Sequence, residues 1–185
     1  MINEKKTLII EYVLENKENL LLSSQIAKAF DDIIEKLVKS FSEALEEKLT
    51  LQLGDDWIIQ NDIKNDVFGK KGFSISKKKW NKIYSIGFYA ENRELRNFDF
   101  YVSRNINIIK NPNKLINKLI NENYKKGNVY KTGDWWQYID EPYRNWKDEK
   151  AIIKLYEKDE MVMYFEEQFL KLRDIVEPII DKQFS

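Results

Sequence analysis

Two tripeptides have the composition of half a metal-dependent phosphodiester-cleaving centre. In such a centre an upstream Asp and a following Asp/Glu-x-Lys hold Mg²⁺ at the scissile phosphate while the lysine orients the attacking water. Glu15-Asn16-Lys17 follows Val13-Leu14, and Asp62-Ile63-Lys64 follows Trp57-Ile58-Ile59 with Asp55 or Asp56 upstream. The first stands at a helix end, too near the N-terminus for an Asp-bearing strand to precede it. The second leaves only a few residues for a strand pair, so neither is assigned a catalytic role. There is no Cys and no His, which excludes Ser-His-Asp and Cys-His nucleophiles and any thiolate or imidazole metal site. Neither GxxxxGK[ST] nor GxGxxG occurs, so no glycine phosphate cradle and no cofactor is indicated.

Binding chemistry is better represented. Lys70, Lys71, Lys77, Lys78, Lys79 and Lys82 surround Trp80, and Arg93, Arg96 and Arg104 follow. Cations interleaved with an aromatic ring suit phosphate neutralisation and base stacking. The same lysines would serve to keep a sheet edge from pairing with another chain. The stretch 134–146 (DWWQYIDEPYRNW) carries Trp135, Trp136, Tyr138 and Arg144 in an aromatic connector that either anchors the connector in the core or presents a recognition groove. The stretch 22–30 (LSSQIAKAF) has the look of the second helix of a helix-turn-helix, but the carboxylates that follow it, Asp31, Asp32 and Glu35, make a poor reader of a major groove.

The elements that must position these residues follow from periodicity. Residues 7–14 can form a short helix within an N-terminal helical segment, 1–22. Ser23 or Ser24 can cap a long helix over 23–53, where Ile26, Phe30, Ile33, Ile34, Leu37, Val38, Phe41 and Leu45 recur at three- and four-residue steps. A β region, 55–106, follows: Phe73, Ile75 and Lys77 alternate with Ser74 and Ser76, then Tyr84, Ile86 and Phe88, then Phe98, Phe100 and Val102. Asn111-Pro112 opens a helix over 111–126 with Gly127 as its stop, the aromatic connector spans 134–146, and C-terminal helices occupy 147–182, where Pro178 should kink or end the last one. The expected fold is α+β in one domain, 1–185: an antiparallel sheet of three or four strands packed by the long N-terminal helix and the C-terminal helices.

The totals of 31 basic and 31 acidic residues conceal an uneven layout. Residues 1–54 hold 7 basic and 10 acidic groups, 55–133 hold 16 and 8, and 134–185 hold 8 and 13. A basic middle between acidic flanks implies either a surface for an anionic partner or ion pairing between the segments. No apolar run approaches the roughly 20 residues needed to cross a bilayer, and residues 1–6 carry no signal-peptide core, so a cytoplasmic chain with no membrane partner is expected.

The long amphipathic helix, then GFSISKKKWNKIYSIGFYAEN, a second strand ending in Arg104, WWQYID with Trp146 downstream, and FEEQFLKLRDIVEPIID resemble the C-terminal half of bacterial PD-(D/E)XK nuclease superfamily proteins. The resemblance covers 26–181 and excludes the nuclease core. It implies the architecture and a nucleic-acid or phage-defence context, with no catalytic or metal-binding residue carried over. The function expected is therefore that of a non-catalytic binding module. It would recognise nucleic acid or a protein complex through the lysine strands and the connector, with its oligomeric state left open. The alternatives are a small phage or mobile-element inhibitor of a host defence complex, which would use the acidic flanks as a nucleic-acid mimic, and a Mg²⁺-dependent nuclease using Asp55 or Asp56 with Asp62 and Lys64.

Overall fold

A computed structural model of the protein describes residues 2–69, 72–90, 94–131 and 133–184. The elements in order are α1 (Ile2–Leu14), α2 (Lys17–Leu53), β1 (Trp57–Asn61), β2 (Gly72–Lys77), a 3₁₀ turn (Lys78–Trp80), β3 (Tyr84–Ala90), β4 (Phe98–Arg104), α3 (Lys114–Asn123), β5 (Gly133–Tyr138), α4 (Glu149–Tyr156) and α5 (Asp159–Asp181). The chain divides into two units, Met1–Lys36 and Leu37–Ser185, and α2 contributes to both. No helix of the described residues is long and apolar enough to cross a membrane.

In the first unit α1 and α2 are separated by Glu15 and Asn16 alone. The Asn16 side chain accepts a hydrogen bond from the Asn19 amide at 2.8 Å, and Asn19 Nδ2 donates to the Tyr12 carbonyl at 2.8 Å. A side-chain oxygen that satisfies one of the orphan amides of a first turn fixes where a helix starts. This is why α2 begins at Lys17, and why Ser23 and Ser24, expected to cap it, lie in its interior.

In the second unit α2 ends where expected. Gly54 adopts φ +73°, the left-handed conformation that glycine takes without a Cβ penalty, and its amide donates to the Thr50 carbonyl at 3.3 Å. The five strands form one antiparallel sheet in the order β1-β2-β3-β4-β5. The sheet thus has one strand more than the upper number expected. The added strand is β5, taken from what the sequence suggested was an irregular connector. Its register sets Trp135 against Val102, Trp136 against Tyr101 and Tyr138 against Asp99.

One face of this sheet is the core. Phe73, Ile75, Ile86, Phe88, Phe98, Phe100, Val102 and Trp135 are buried on it, because side chains two apart along a strand share a face. Phe165 and Phe169 of α5 meet Phe88 at ring-centroid distances of 4.7 and 5.9 Å, and Phe41 of α2 meets Phe165 at 5.1 Å and Trp146 at 5.3 Å. Trp146 stacks on Phe98 at 3.8 Å. Each such ring contributes about 1.5–3 kcal/mol by leaving water.

Three local expectations are corrected. Helix α3 is capped by Asn113, whose Oδ1 accepts from the Leu115 and Ile116 amides at 3.0 and 3.3 Å, so Asn111-Pro112 precedes the cap. The same helix stops at Asn123, and Gly127 instead lies under the Trp135 indole, where an added Cβ would press on Nε1. Pro178 does not end α5, which continues to Asp181. It sits in the last turn, where its missing N–H costs one bond to the exposed Asp174.

Candidate interaction surface

The residues proposed from sequence divide between two opposite uses. Lys77 lies in phase with Phe73 and Ile75, so its side chain points toward α5. Its ammonium donates to the carboxylates of Glu177 and Asp181, the second at 2.8 Å. Lys79 pairs with the same Asp181 oxygen at 2.8 Å, and the buried Trp80 donates its indole N–H to the other oxygen at 2.7 Å while meeting Trp57 edge-on at 5.1 Å. Partial burial alone would raise the Asp181 carboxyl. Donation from Lys77, Lys79 and Trp80 outweighs it and holds the group at about 2. Burial likewise disfavours the Lys77 cation, but the two carboxylates raise its pKa above the ordinary 10.5.

Arg104 is a second internal cation. Its side chain is 1% exposed, and that of Asp134, its partner at 3.0 Å, is fully buried. The guanidinium also donates to the carbonyls of Ile109, Lys110 and Lys131, tying the loops on either side of α3 to β4. Asp134 Oδ1 further accepts from the Asn113 amide at 2.8 Å, whereas Oδ2 is buried with no hydrogen-bond partner among the described residues. Burial therefore prevails and raises the Asp134 carboxyl above its ordinary value, with the Asn113 amide and Arg104 pulling it back. Trp135 is buried too, its indole N–H on the Lys125 carbonyl at 3.3 Å.

Part of the basic middle segment is thus paired within the chain. Five cations of the basic middle segment reach carboxylates of the acidic flanks: Lys64 to Glu46, Lys77 to Glu177 and Asp181, Lys79 to Asp181, Arg104 to Asp134 and Lys125 to Asp140. Lys78, Lys82 and Arg96 are exposed. Lys70, Lys71 and Arg93 lie outside the described residues.

The second face of the sheet carries Ser74 and Ser76 of β2, Ser85, Gly87 and Tyr89 of β3, Asp99, Tyr101 and Ser103 of β4, and Trp136 and Tyr138 of β5. Gly87 leaves room for the Tyr101 ring: an added Cβ would stand 2.5 Å from the Tyr101 hydroxyl oxygen. Burial drives the pKa of that hydroxyl up to about 12, with the nearby Ser74 and Ser85 pulling it back. Tyr89 packs edge-on against Tyr101 at 5.7 Å, and the Ser85 and Ser103 hydroxyls are 2.7 Å apart. Toward the β5 edge Tyr130 stacks on Trp136 at 4.7 Å, Trp136 meets Tyr138 edge-on at 5.2 Å, and the Arg144 guanidinium lies over the Tyr138 ring at 3.9 Å while donating to Asn97 Oδ1. Toward the other edge Ile58, Gln60, Ser74, Ser76, Lys82, Tyr84 and Ser85 line a cavity of about 180 Å³. Asn81 and Lys82, at φ +48° and +59°, turn the chain at its rim in a conformation that non-glycine residues seldom adopt.

The second face thus brings together Lys82, Trp136, Tyr138 and Arg144 of the residues read from sequence. Tyr89, Tyr101, Tyr130 and the four serines were missed, although all of them except Tyr130, which precedes β5, carried a signal: they occupy the off-phase positions of strands whose in-phase positions are Phe, Ile and Val.

The structure places the two tripeptides in different settings. Glu15-Asn16-Lys17 is the turn that caps α2. Asp62 Oδ2 accepts from Gln60 at 2.8 Å, and Lys64 reaches both oxygens of Glu46 at 3.1 and 3.0 Å, while Asp55 and Asp56 are exposed in the turn before β1. Among the described residues no three carboxylates converge. Compared with known proteins, the chain matches no family model, no curated protein and no solved structure.

Proposed function

We propose that the chain is a binding module and that a protein docks on the second face of the sheet, centred on Tyr101, Trp136, Tyr138 and Arg144. The supporting observation is the composition of that face: half-buried tyrosines, a tryptophan and an arginine set among serine hydroxyls. Tyr, Trp and Arg supply most of the energy at protein interfaces, and tyrosine with serine gives rigid apolar area beside adaptable hydrogen bonding. Nucleic acid is the weaker reading. Phosphate neutralisation supplies most of such binding, and Lys77, Lys79 and Arg104 are engaged by carboxylates of the chain itself. The defence context belongs to the resemblance, so a protein complex of that kind is the partner class to try first.

The experiment compares binding by the parent, by Trp136→Ala/Tyr138→Ala and by Lys78→Glu/Lys82→Glu, with candidate protein complexes and with single-stranded oligonucleotides. Loss of a protein partner in the aromatic variant, retention in the lysine variant and little change between about 0.1 and 1 M salt are expected. Oligonucleotide binding that falls steeply with salt and fails in the lysine variant would overturn the protein reading in favour of nucleic acid.

A further inference from the structure

The first unit carries an apolar surface that the aromatic face does not involve. Eleven large apolar side chains of α1 and of α2 up to Lys36 are between 38% and 69% exposed. On α2 four of them, Leu22, Ile26, Phe30 and Ile33, recur at steps of four, four and three, which places them in one stripe along the helix. Fully burying an aliphatic side chain removes about 100 Å² of apolar surface, so these four and the five of α1 (Leu8, Ile9, Ile10, Tyr12 and Leu14), at about half exposure, present roughly 500 Å². A homodimer face of standard size buries about 800 Å² per partner, about 65% of it apolar, or roughly 500 Å². A patch of this size lies toward the upper end of the largest patch that monomers expose, about 300–600 Å², and such patches are often functional.

We infer that this surface is the interface with a second copy of the chain, formed by the Leu22–Ile33 stripe of each α2 and completed by the apolar residues of α1. A membrane surface fits it poorly. The stripe is flanked by Asp31, Asp32 and Glu35, and the unit holds seven acidic against five basic residues, whereas interfacial helices flank their apolar face with lysine and arginine. Two copies of one stripe match in length and spacing by symmetry, and an isologous contact closes without leaving a further sticky edge.

The inference uses no residue of the aromatic face, so it stands or falls separately from the proposed function. Sedimentation equilibrium of the full chain should give twice 22.3 kDa, 44.6 kDa, at high concentration. Ile26→Lys/Ile33→Lys should give 22.3 kDa with an unchanged far-ultraviolet circular dichroism spectrum, since both positions are exposed in the single chain. The chain has no cysteine, so Ile26→Cys under oxidation should yield a covalent dimer and Ser24→Cys, on the opposite side of the helix, should not. A parent that stays monomeric at its solubility limit would overturn the inference. So would a dimer that survives Ile26→Lys/Ile33→Lys, equal cross-linking from both cysteine positions, or binding of the monomer to vesicles of anionic lipid.

Discussion

Replacing Asp181 by asparagine isolates the carboxylate that pairs with Lys77 and Lys79. The carboxyl moves from an ordinary 3.8 to about 2 on folding. At about 1.4 kcal/mol per unit this corresponds to about 2.4 kcal/mol. The Asp181 side chain is 21% exposed, and solvent screening reduces the figure to about 1–2 kcal/mol. The folded-state value lies below the unfolded one. The stabilisation is therefore fully present above about pH 4 and is lost as the pH falls toward 2. Asparagine retains an acceptor for the Trp80 indole but no charge for either lysine. Urea unfolding at pH 7 should show the variant less stable by about 1–2 kcal/mol, a midpoint shift of about 0.5–1 M, and the two proteins should converge as the pH is lowered to 2. A gap of the same size at pH 7 and pH 2 would mean that shape and not charge is lost, and no gap at pH 7 would refute the reasoning. Lys77 gives the alkaline counterpart: its folded-state pKa is raised, so its share is present below pH 10.5 and lost as the pH rises through the folded value.

Two further substitutions test the frame behind the aromatic face. Arg104→Met should cost about 3–5 kcal/mol by equilibrium unfolding, because it leaves the buried Asp134 without its cation and frees three loop carbonyls. A loss below about 1 kcal/mol would show that water replaces the guanidinium. Gly87→Ala sets a methyl 2.5 Å from the Tyr101 hydroxyl oxygen and 2.6 Å from the Phe73 carbonyl oxygen. It should cost about 1–3 kcal/mol as overpacking and swing the tyrosine outward. Its phenol should then titrate nearer 10 than 12 in an ultraviolet pH titration, and an unshifted tyrosine would count against the ring lying over Gly87.

The inner face of the sheet was legible because Phe73 and Ile75, Tyr84 to Phe88, and Phe98 to Val102 alternate cleanly with smaller or polar residues. The fifth strand was not, since Trp135 and Trp136 are adjacent rings pointing to opposite faces, and a pair of aromatics carries no period-two signal. The cap of α3 was misplaced by two residues because Asn111 and Asn113 are equally good cappers, and only the Asp134 carboxylate on the Asn113 amide distinguishes them. For the lysine cluster the sequence held half the answer. Lys77 alternates in step with Phe73 and Ile75, so its inward direction followed from the same pattern that placed the core. Its partners, about one hundred residues later in α5, did not.

The α5 partners follow from the geometry of that helix. Phe165, Phe169, Leu172, Val176 and Ile180 are its buried stripe, and Glu177 and Asp181 each follow a buried residue of that stripe, one turn apart on its flank. Packing the stripe on the sheet therefore brings two carboxylates to one end of β2, and a lysine in phase with the core there is the residue that makes their burial tolerable. The same constraint accounts for Trp80, whose indole N–H needs an acceptor once it is fully buried and finds it in Asp181. Three donors converging on one carboxylate use the cluster to fasten the last helix to the sheet. On the proposed docking face what is offered is ring area and hydroxyl groups, so that shape rather than net charge would select a partner there.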